Sequence, residues 1–411
     1  MVNAYRRLIA NRVFVIYWGG STLVQLALQF VTIALAWFVL KTTGSSIRVA
    51  FVLAVISVAR MATSPFIGYL IDRLPRRALM ILDNTGQMIL YASVPVMTWM
   101  HVLTFPMLLA VVGAAAALSP LSMIGRGVLL PNIVPDEDLE PANGLSQLRS
   151  SMVYLLGPAL GGILVAFLGA PGTLMITAGC YVAYVGSLLA IPAGKYHAVQ
   201  DDRFSADRSP RINPWQFLRN SQVLLIIGVV TLFFNITYGP LEPALPVMVL
   251  RVFHAGASTL GLIWSSFAVG SLLGTLVWER LRPQWNLRFV ITGVIVGWGL
   301  FSGLVGLTNH PWQAMAMMFC GGITYAPYNI VAATWQQRLI PDHMRGTVFG
   351  TIQSVTSAGL PVGQLIGGLV VSAAGAGATI AMGGAATVLL GLVVVSLRAP
   401  WARLPTANMS R

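Results

Sequence analysis

The chain repeats itself at one fixed offset. Gly68-Tyr69-Leu70 returns as Gly274-Thr275-Leu276, Pro135-Asp136 as Pro341-Asp342, and Gly144 as Gly350. Gly157-Pro158-Ala159-Leu160-Gly161-Gly162 returns as Gly363-Gln364-Leu365-Ile366-Gly367-Gly368. Every pair is 206 residues apart, half of the 411-residue chain. A repeat this long in so apolar a chain predicts two parallel membrane bundles facing each other across a pathway.

Hydrophobic residues make up 56% and charged residues only 9% of the sequence, against roughly 25% charged in soluble domains. Backbone groups in lipid must be satisfied within a segment, so a spanning helix needs about 20 predominantly apolar residues. Twelve such segments are expected, at 13–40, 47–71, 78–99, 104–128, 141–168, 172–192, 220–247, 257–278, 287–307, 311–335, 346–373 and 378–398. The expected fold is all-α and integral to the membrane, twelve helices in two pseudo-symmetric bundles. Residues 1–192 form the first bundle, 193–219 a polar cytoplasmic linker and 220–411 the second bundle.

Charge sets the orientation. With both termini cytoplasmic, all 25 basic residues except Lys41, Arg48, Arg60 and Arg251 fall on the cytoplasmic side, as the positive-inside rule requires. The net +13 is therefore topogenic and lipid-facing, with no nucleic acid implied. Cys180 and Cys320 both fall in predicted spans, so neither a disulfide framework nor a metal site is expected. The first apolar run is too long for a cleavable signal peptide. The expected location is a bacterial inner membrane.

Between spans two and three, Gly68-Tyr69-Leu70-Ile71-Asp72-Arg73-Leu74-Pro75-Arg76-Arg77 resembles the loop signature of the major facilitator superfamily, Gly-x-Leu-x-Asp-Arg-x-Gly-Arg-Arg/Lys. It departs at Pro75, where the family has glycine. The second half carries a degraded copy, Gly274 to Arg280, with the acid displaced by one residue to Glu279. Small Gly68 permits close helix approach. The resemblance implies that Asp72, Arg73 and Arg76 latch the cytoplasmic side, Asp72 facing the start of span eleven, around Arg345-Gly346-Thr347. Span five, with Gly157, Pro158, Gly161 and Gly162, resembles the Gly-Pro-x-x-Gly-Gly core found in exporters and antiporters of the superfamily. Proline kinks a helix and glycines four apart make a smooth crossing face. Residues Leu129 to Leu139, followed by Ala142-Asn143-Gly144, are similar to a loop of the enterobactin and macrolide exporter branch.

Of 12 acidic residues, only Asp83 and Glu242 lie within apolar segments. Ionisable groups there cost on the order of 2.5–3.5 kcal/mol on insertion scales and are functional suspects by default. Asp83 and Arg149 sit at similar depth in spans three and five and are candidates to pair, with Arg126 as another partner. Arg60, near the middle of span two, can meet Asp83 or an anionic substrate group. Glu242 lies in Tyr238-Gly239-Pro240-Leu241-Glu242-Pro243, where glycine and prolines should interrupt span seven, a recurrent transport device. It is a candidate for taking a proton or attracting a cationic substrate. Span four carries no charge over residues 104–124, so the mid-span arginine of many proton-coupled relatives is missing.

In the family, spans one, four, seven and ten line the centre. That geometry implies Tyr17, Gln25, Gln29, Phe30, Phe233, Phe234, Asn235, Tyr238, Tyr325, Tyr328 and Asn329 as pathway residues. Aromatics with a few amides suit a large amphipathic molecule. The leading expectation is a secondary transporter exporting a drug, macrolide-like compound or siderophore by alternating access and proton antiport. The alternative is a lysophospholipid or lipid translocator. The sequence has no P-loop and no hydrolytic constellation, so neither a cofactor nor an enzyme is expected. The expected working unit is a monomer whose partners are protons, membrane lipid and a small amphipathic substrate.

Overall fold

The computed structural model describes residues 2–73, 76–122, 129–130, 133–191, 219, 221–281, 287–340 and 345–396. Their regular structure is helical throughout, with no strand among the described residues. We number the helices α1 (Val2–Ala10), α2 (Arg12–Thr43), α3 (Ser46–Arg73), α4 (Arg76–Trp99), α5 (Phe105–Leu118), α6 (Leu139–Leu189), α7 (Gln222–Tyr238) and α8 (Leu241–Arg251). The remainder are α9 (Ala257–Leu281), α10 (Leu287–Val305), α11 (Pro311–Leu339), α12 (Arg345–Ser357), α13 (Gly359–Ala374) and α14 (Ala376–Ser396).

Among the described residues, the predicted apolar segments fall largely on these helices, and the end of the fourth, 123–128, lies outside them. Nine helical stretches among the described residues are long and apolar enough to cross a membrane. One of them, Asp136–Leu189, holds two predicted spans. The other two missing from that set are α4, which carries Asp83, Asn84 and Gln87, and α11, which carries Gln313 with several tyrosines and prolines. Large apolar side chains face outward, Phe66 at 77% exposure and Phe167 at 84%. That surface is stable only in a solvent as apolar as itself.

The 206-residue repeat extends to backbone conformation. Gly169 has φ 70° and ψ 170°, and Gly375, its partner in the repeat, has φ 86° and ψ 166°. Each turns the chain from one span directly into the next. A side chain is strained at positive φ, which explains glycine at both positions.

The chain divides into two compact units. The first comprises Met1–Lys41 with Val55–Asp207, and the second Thr42–Ala54 with Arg208–Arg411. In the first, α4 packs along α6 and α5. Arg77 at the start of α4 donates from Nε to the carbonyl of Leu188 (2.8 Å) and from Nη2 to that of Leu189 (3.0 Å). It thereby caps the C-terminus of α6, where the dipole favours a cation. The short helix α1 is tied to the segment before α6. Arg7 Nη2 donates to Asp138 Oδ1 (2.6 Å), and Asn11 Nδ2 donates to the carbonyl of Ile133 (3.3 Å). Asn11 Oδ1 also accepts from the amides of Val13 and Phe14 and so caps α2.

In the second unit, α11 packs along α9 and α10, and α14 along α10. Small residues set these approaches. A Cβ on Gly299 would lie 2.8 Å from the amide nitrogen of Val388, and one on Gly303 3.1 Å from Gly384 Cα. Residues 42–54 complete this unit. Ser46 Oγ donates to the carbonyl of Gly368 (3.2 Å), and Arg251 Nη2 donates to that of Gly44 (2.6 Å).

Candidate functional site

Three polar or aromatic assemblies lie within the predicted spans. The first, in unit one, is the seam between α2 and the first half of α6. Gly157 and Gly161 make the crossing face: a Cβ on Gly157 would sit 2.6 Å from Gln29 Cγ, and one on Gly161 3.3 Å from Phe30 Cα. Gln29 and the buried Phe30 therefore pack on the glycines of α6, and Pro158 and Gly162 are buried beside them. Polar groups line the same seam. Trp18 Nε1 donates to the carbonyl of Leu145 (3.4 Å), Gln25 Nε2 to Ser150 Oγ (3.4 Å), and Arg149 Nη1 to Ser21 Oγ. Arg149 is 7% exposed. Tyr17 immediately precedes Trp18 on α2, its ring 6.5 Å from that of Tyr184.

The second assembly surrounds Asp83, which is fully buried. Its carboxylate accepts from Gln87 Nε2 (2.6 Å), from the amide of Ser122 (3.1 Å) and from Ser122 Oγ. Asn84 Nδ2 donates to Ser122 Oγ (2.6 Å), and Tyr181 OH donates to Gln87 Oε1 (2.8 Å). Tyr181 in turn stacks on Tyr91, ring centres 5.8 Å apart. Pro120 follows α5 closely and cannot donate a backbone hydrogen bond; the carboxylate takes up the backbone amide of Ser122 just beyond it. Of the acid and the base expected to pair here, Asp83 accepts from Gln87 and Ser122, and Arg149 donates to Ser21. Arg60 Nε is buried without a hydrogen-bond partner among the described residues.

The third assembly is in unit two and joins the repeat-related seam to an aromatic cluster. A Cβ on Gly359 would lie 3.1 Å from Asn235 Cβ, and one on Gly363 2.9 Å from Gly239 Cα. Asn235, the repeat partner of Gln29, donates through Nδ2 to the carbonyl of Thr356 (2.9 Å). Thr356 is the repeat partner of Ser150, which in unit one accepts from the side-chain amide of Gln25, one turn before Gln29. Rings from four helices gather next to this seam. Phe234 stacks on Tyr325 (6.0 Å) and Tyr328 (5.9 Å), Phe267 meets Trp298 edge-on (5.1 Å), and Trp298 lies 5.6 Å from Tyr325 and 6.0 Å from Tyr238. Tyr328 OH pairs with Thr231 Oγ1. Phe233, one residue earlier on α7, is 49% exposed and stands outside the cluster.

Glu242 sits in the first turn of α8, beside these rings. Gln364 Nε2 donates to its Oε2 (2.6 Å), and Tyr238 stands one helical turn earlier on the same span. The sequence predicts an interruption of span seven here, and the helix does end at Tyr238 and restart at Leu241; Gly239 (φ −49°, ψ −38°) and Pro240 (φ −59°, ψ −26°) between them keep right-handed helical angles. Proline removes one backbone donor without unwinding the chain, so the span is jointed, not open.

Sequence reasoning does not single out Ser122, Gln87, Phe267, Trp298 or Gln364 as site residues. Some of them leave a signal. Gln87 lies one turn from Asp83, and Gln364 is an amide at a position where the first half has proline. The side chains of Asp72, Arg73, Arg76 and Asn329, with Gly68, lie outside the described residues, as does Arg126.

The sequence model for transmembrane secretion effectors matches residues 7–410. The chain belongs to this family, within the major facilitator superfamily. It is 27% identical over 382 residues to the multidrug efflux pump Tap of Mycobacterium tuberculosis, covering 89% of each chain. It is 22% identical over 371 residues to macrolide efflux protein A of Streptococcus pyogenes, covering 87% of this chain and 88% of that one. Its fold matches that of the nucleoside transporter NupG with a TM-score of 0.74 at 13% identity, over 96% of this chain and 100% of that one. A bacterial homologue of the iron transporter ferroportin, in an inward-facing state, matches with a TM-score of 0.72 at 16% identity, over 96% and 99%. This member of the secretion-effector family is a multi-pass membrane transporter.

Proposed function

We propose that this transporter exports amphipathic, drug-like molecules from the cytoplasm of a bacterium by alternating access in the inner membrane, in exchange for protons. The observation that carries the reading is the six-ring cluster of α7, α9, α10 and α11 beside the carboxylate of Glu242. Stacked rings give a large apolar molecule area to bind with few directional demands. The acid supplies both an attraction for a cationic group and a place for a proton. Names of the relatives, one a multidrug and one a macrolide efflux protein, point the same way.

Among the two acids in the spans, Glu242 is the better proton carrier. Asp83 is fixed by three donors from Gln87 and Ser122 and serves to anchor the segment after α5. Glu242 has its acceptor on a jointed helix next to the ring cluster. Both termini face the cytoplasm in this reading, following the basic residues.

The test is reconstitution of the purified chain in liposomes under an imposed pH gradient, with uptake of a fluorescent amphipathic cation. Gradient-driven accumulation by the wild type and Asp83→Asn, and its loss in Glu242→Gln, is the expected result. Accumulation that survives Glu242→Gln unchanged removes Glu242 as the carrier. No movement under any gradient overturns proton-coupled drug export, and spin-labelled lysolipids and siderophores would then be tried.

A further inference from the structure

Gln364 stands where the repeat places a proline. The first half has Pro158 at this position, and it has Ala36 where the second half has Glu242. The acid and the amide therefore occur together, in one half only. The backbone makes their meeting possible. A Cβ on Gly239 would lie 2.7 Å from the amide nitrogen of Gln364 and 2.7 Å from Gly363 Cα, so α13 runs against the joint of span seven. That approach sets Gln364 Nε2 2.6 Å from Glu242 Oε2, and Gln364 is 2% exposed.

We propose that Gln364 is the positioning residue that lets Glu242 gain and lose a proton inside the protein. A primary amide carries two donors on its nitrogen and an acceptor on its oxygen. With Glu242 ionised, Nε2 donates to the carboxylate, as observed. When a proton from water binds Glu242 Oε2, the new O–H needs an acceptor, and rotation of the terminal amide about its last bond presents Gln364 Oε1. Both charge states are then satisfied at the cost of one torsion. A buried charge that loses its donor is penalised more than a neutral carboxyl, so an apolar side chain at 364 disfavours the ionised state. A cationic side chain would lock Glu242 in its ionised form.

A small polar cavity lies one turn from Glu242: Tyr238 lines a space of ≈10 Å³ whose wall includes Thr237, Ser302 and Thr387. Thr387 Oγ1 donates to Thr237 Oγ1 (2.9 Å). A pocket of that size and polarity holds about one water. Of the helices packed near Glu242, α13 and α14 carry no ionisable residue, and α9 carries only Glu279 and Arg280 at its far end. α7 carries Tyr238, α10 Arg288, α11 Cys320, Tyr325, Tyr328 and Arg338, the end of α8 Arg251, and residues 42–54 Arg48.

The inference rests on Glu242 as the proton carrier, and its test separates the two. Infrared difference spectroscopy of the full chain in liposomes, titrated with pH, reads the carboxyl band that disappears in Glu242→Gln. In Gln364→Leu the midpoint of that band is expected to move to higher pH by about one unit, a tenfold change in proton concentration, and the pH profile of transport should follow. Gln364→Asn keeps the amide on a shorter arm and should shift the midpoint less; it also serves if the leucine variant does not fold. An unmoved midpoint in a variant that melts like the wild type overturns the role of Gln364, which would then be packing alone. A shifted midpoint with transport indifferent to Glu242→Gln leaves the pairing standing and refutes Glu242 as the carrier.

Discussion

Replacing Gly367 with alanine puts a methyl group where the backbone leaves no room. Its Cβ would lie 2.5 Å from Pro240 Cα, 3.0 Å from Pro240 Cβ and 3.1 Å from the Pro240 carbonyl oxygen. Carbon atoms rest at about 3.5–4.0 Å, so the helices must part by about 1 Å. The obstacle cannot rotate away, because Pro240 is backbone with a ring-locked φ of −59°. Overpacking of this kind costs about 1–3 kcal/mol. Gly179 and Gly186 are the controls: a Cβ at either meets nothing within 4 Å, leaving only the helix-propensity gain of up to about 1 kcal/mol from Gly→Ala. The variants should therefore separate by about 2 kcal/mol, roughly a thirtyfold change in the folded-to-unfolded ratio. Thermal unfolding of the detergent-purified full chain, followed by tryptophan fluorescence, measures it. If Gly367→Ala melts at or above the temperature of Gly179→Ala, the glycine row of α13 is not a close-contact surface and the argument from Cβ distances is wrong.

Three further outcomes are expected. Asp83→Asn should lower stability by about 1–3 kcal/mol, because an amide nitrogen then confronts the donors of Gln87 and Ser122; transport per folded molecule should keep its pH profile, and a flattened profile would make Asp83 a carrier. The Arg7 side chain, by hydrogen bond and charge, holds the Asp138 carboxyl below its usual range. That contact is present above the ordinary carboxylate value of about 3.9 and is lost only as pH falls through the lowered one. Tryptic cleavage after Arg6 and Arg7 should thus be constant from neutral pH to about pH 5 and rise in Asp138→Asn; equal cleavage in both proteins would show that the contact does not hold α1. Trp298→Ala removes the ring that meets Tyr238, Phe267 and Tyr325, each pair worth about 0.5–1.5 kcal/mol. It should change which drugs the chain protects a sensitised host against, and an unchanged resistance profile at equal expression would place the substrate elsewhere.

Much of the architecture is legible because membrane helices are specified locally. The twelve apolar runs, the glycine row at 157 and 161, and the return of that row at 363 and 367 are patterns within single segments, and lipid leaves the backbone few other ways to satisfy its polar groups. Gly169 and Gly375 show the limit of that legibility. A turn between spans is expected near each, but only backbone geometry reveals that both adopt positive φ. Asp83 and Glu242 also stand out in the sequence, since an acid in an apolar run is conspicuous. Their partners do not. Ser122 is 39 positions from Asp83, and Gln364 is 122 positions from Glu242.

The sequence by itself determined the class of molecule: a twofold repeat of apolar spans, with two acids placed where acids are costly. Only the tertiary structure decided what each acid meets. Asp83 accepts from Gln87 and Ser122, while Glu242 accepts from the terminal amide of Gln364. The physical reason is that burial energies are written residue by residue along the chain. Hydrogen-bond partners are instead chosen by which helices cross, and the crossings depend on glycine contacts between segments far apart in sequence.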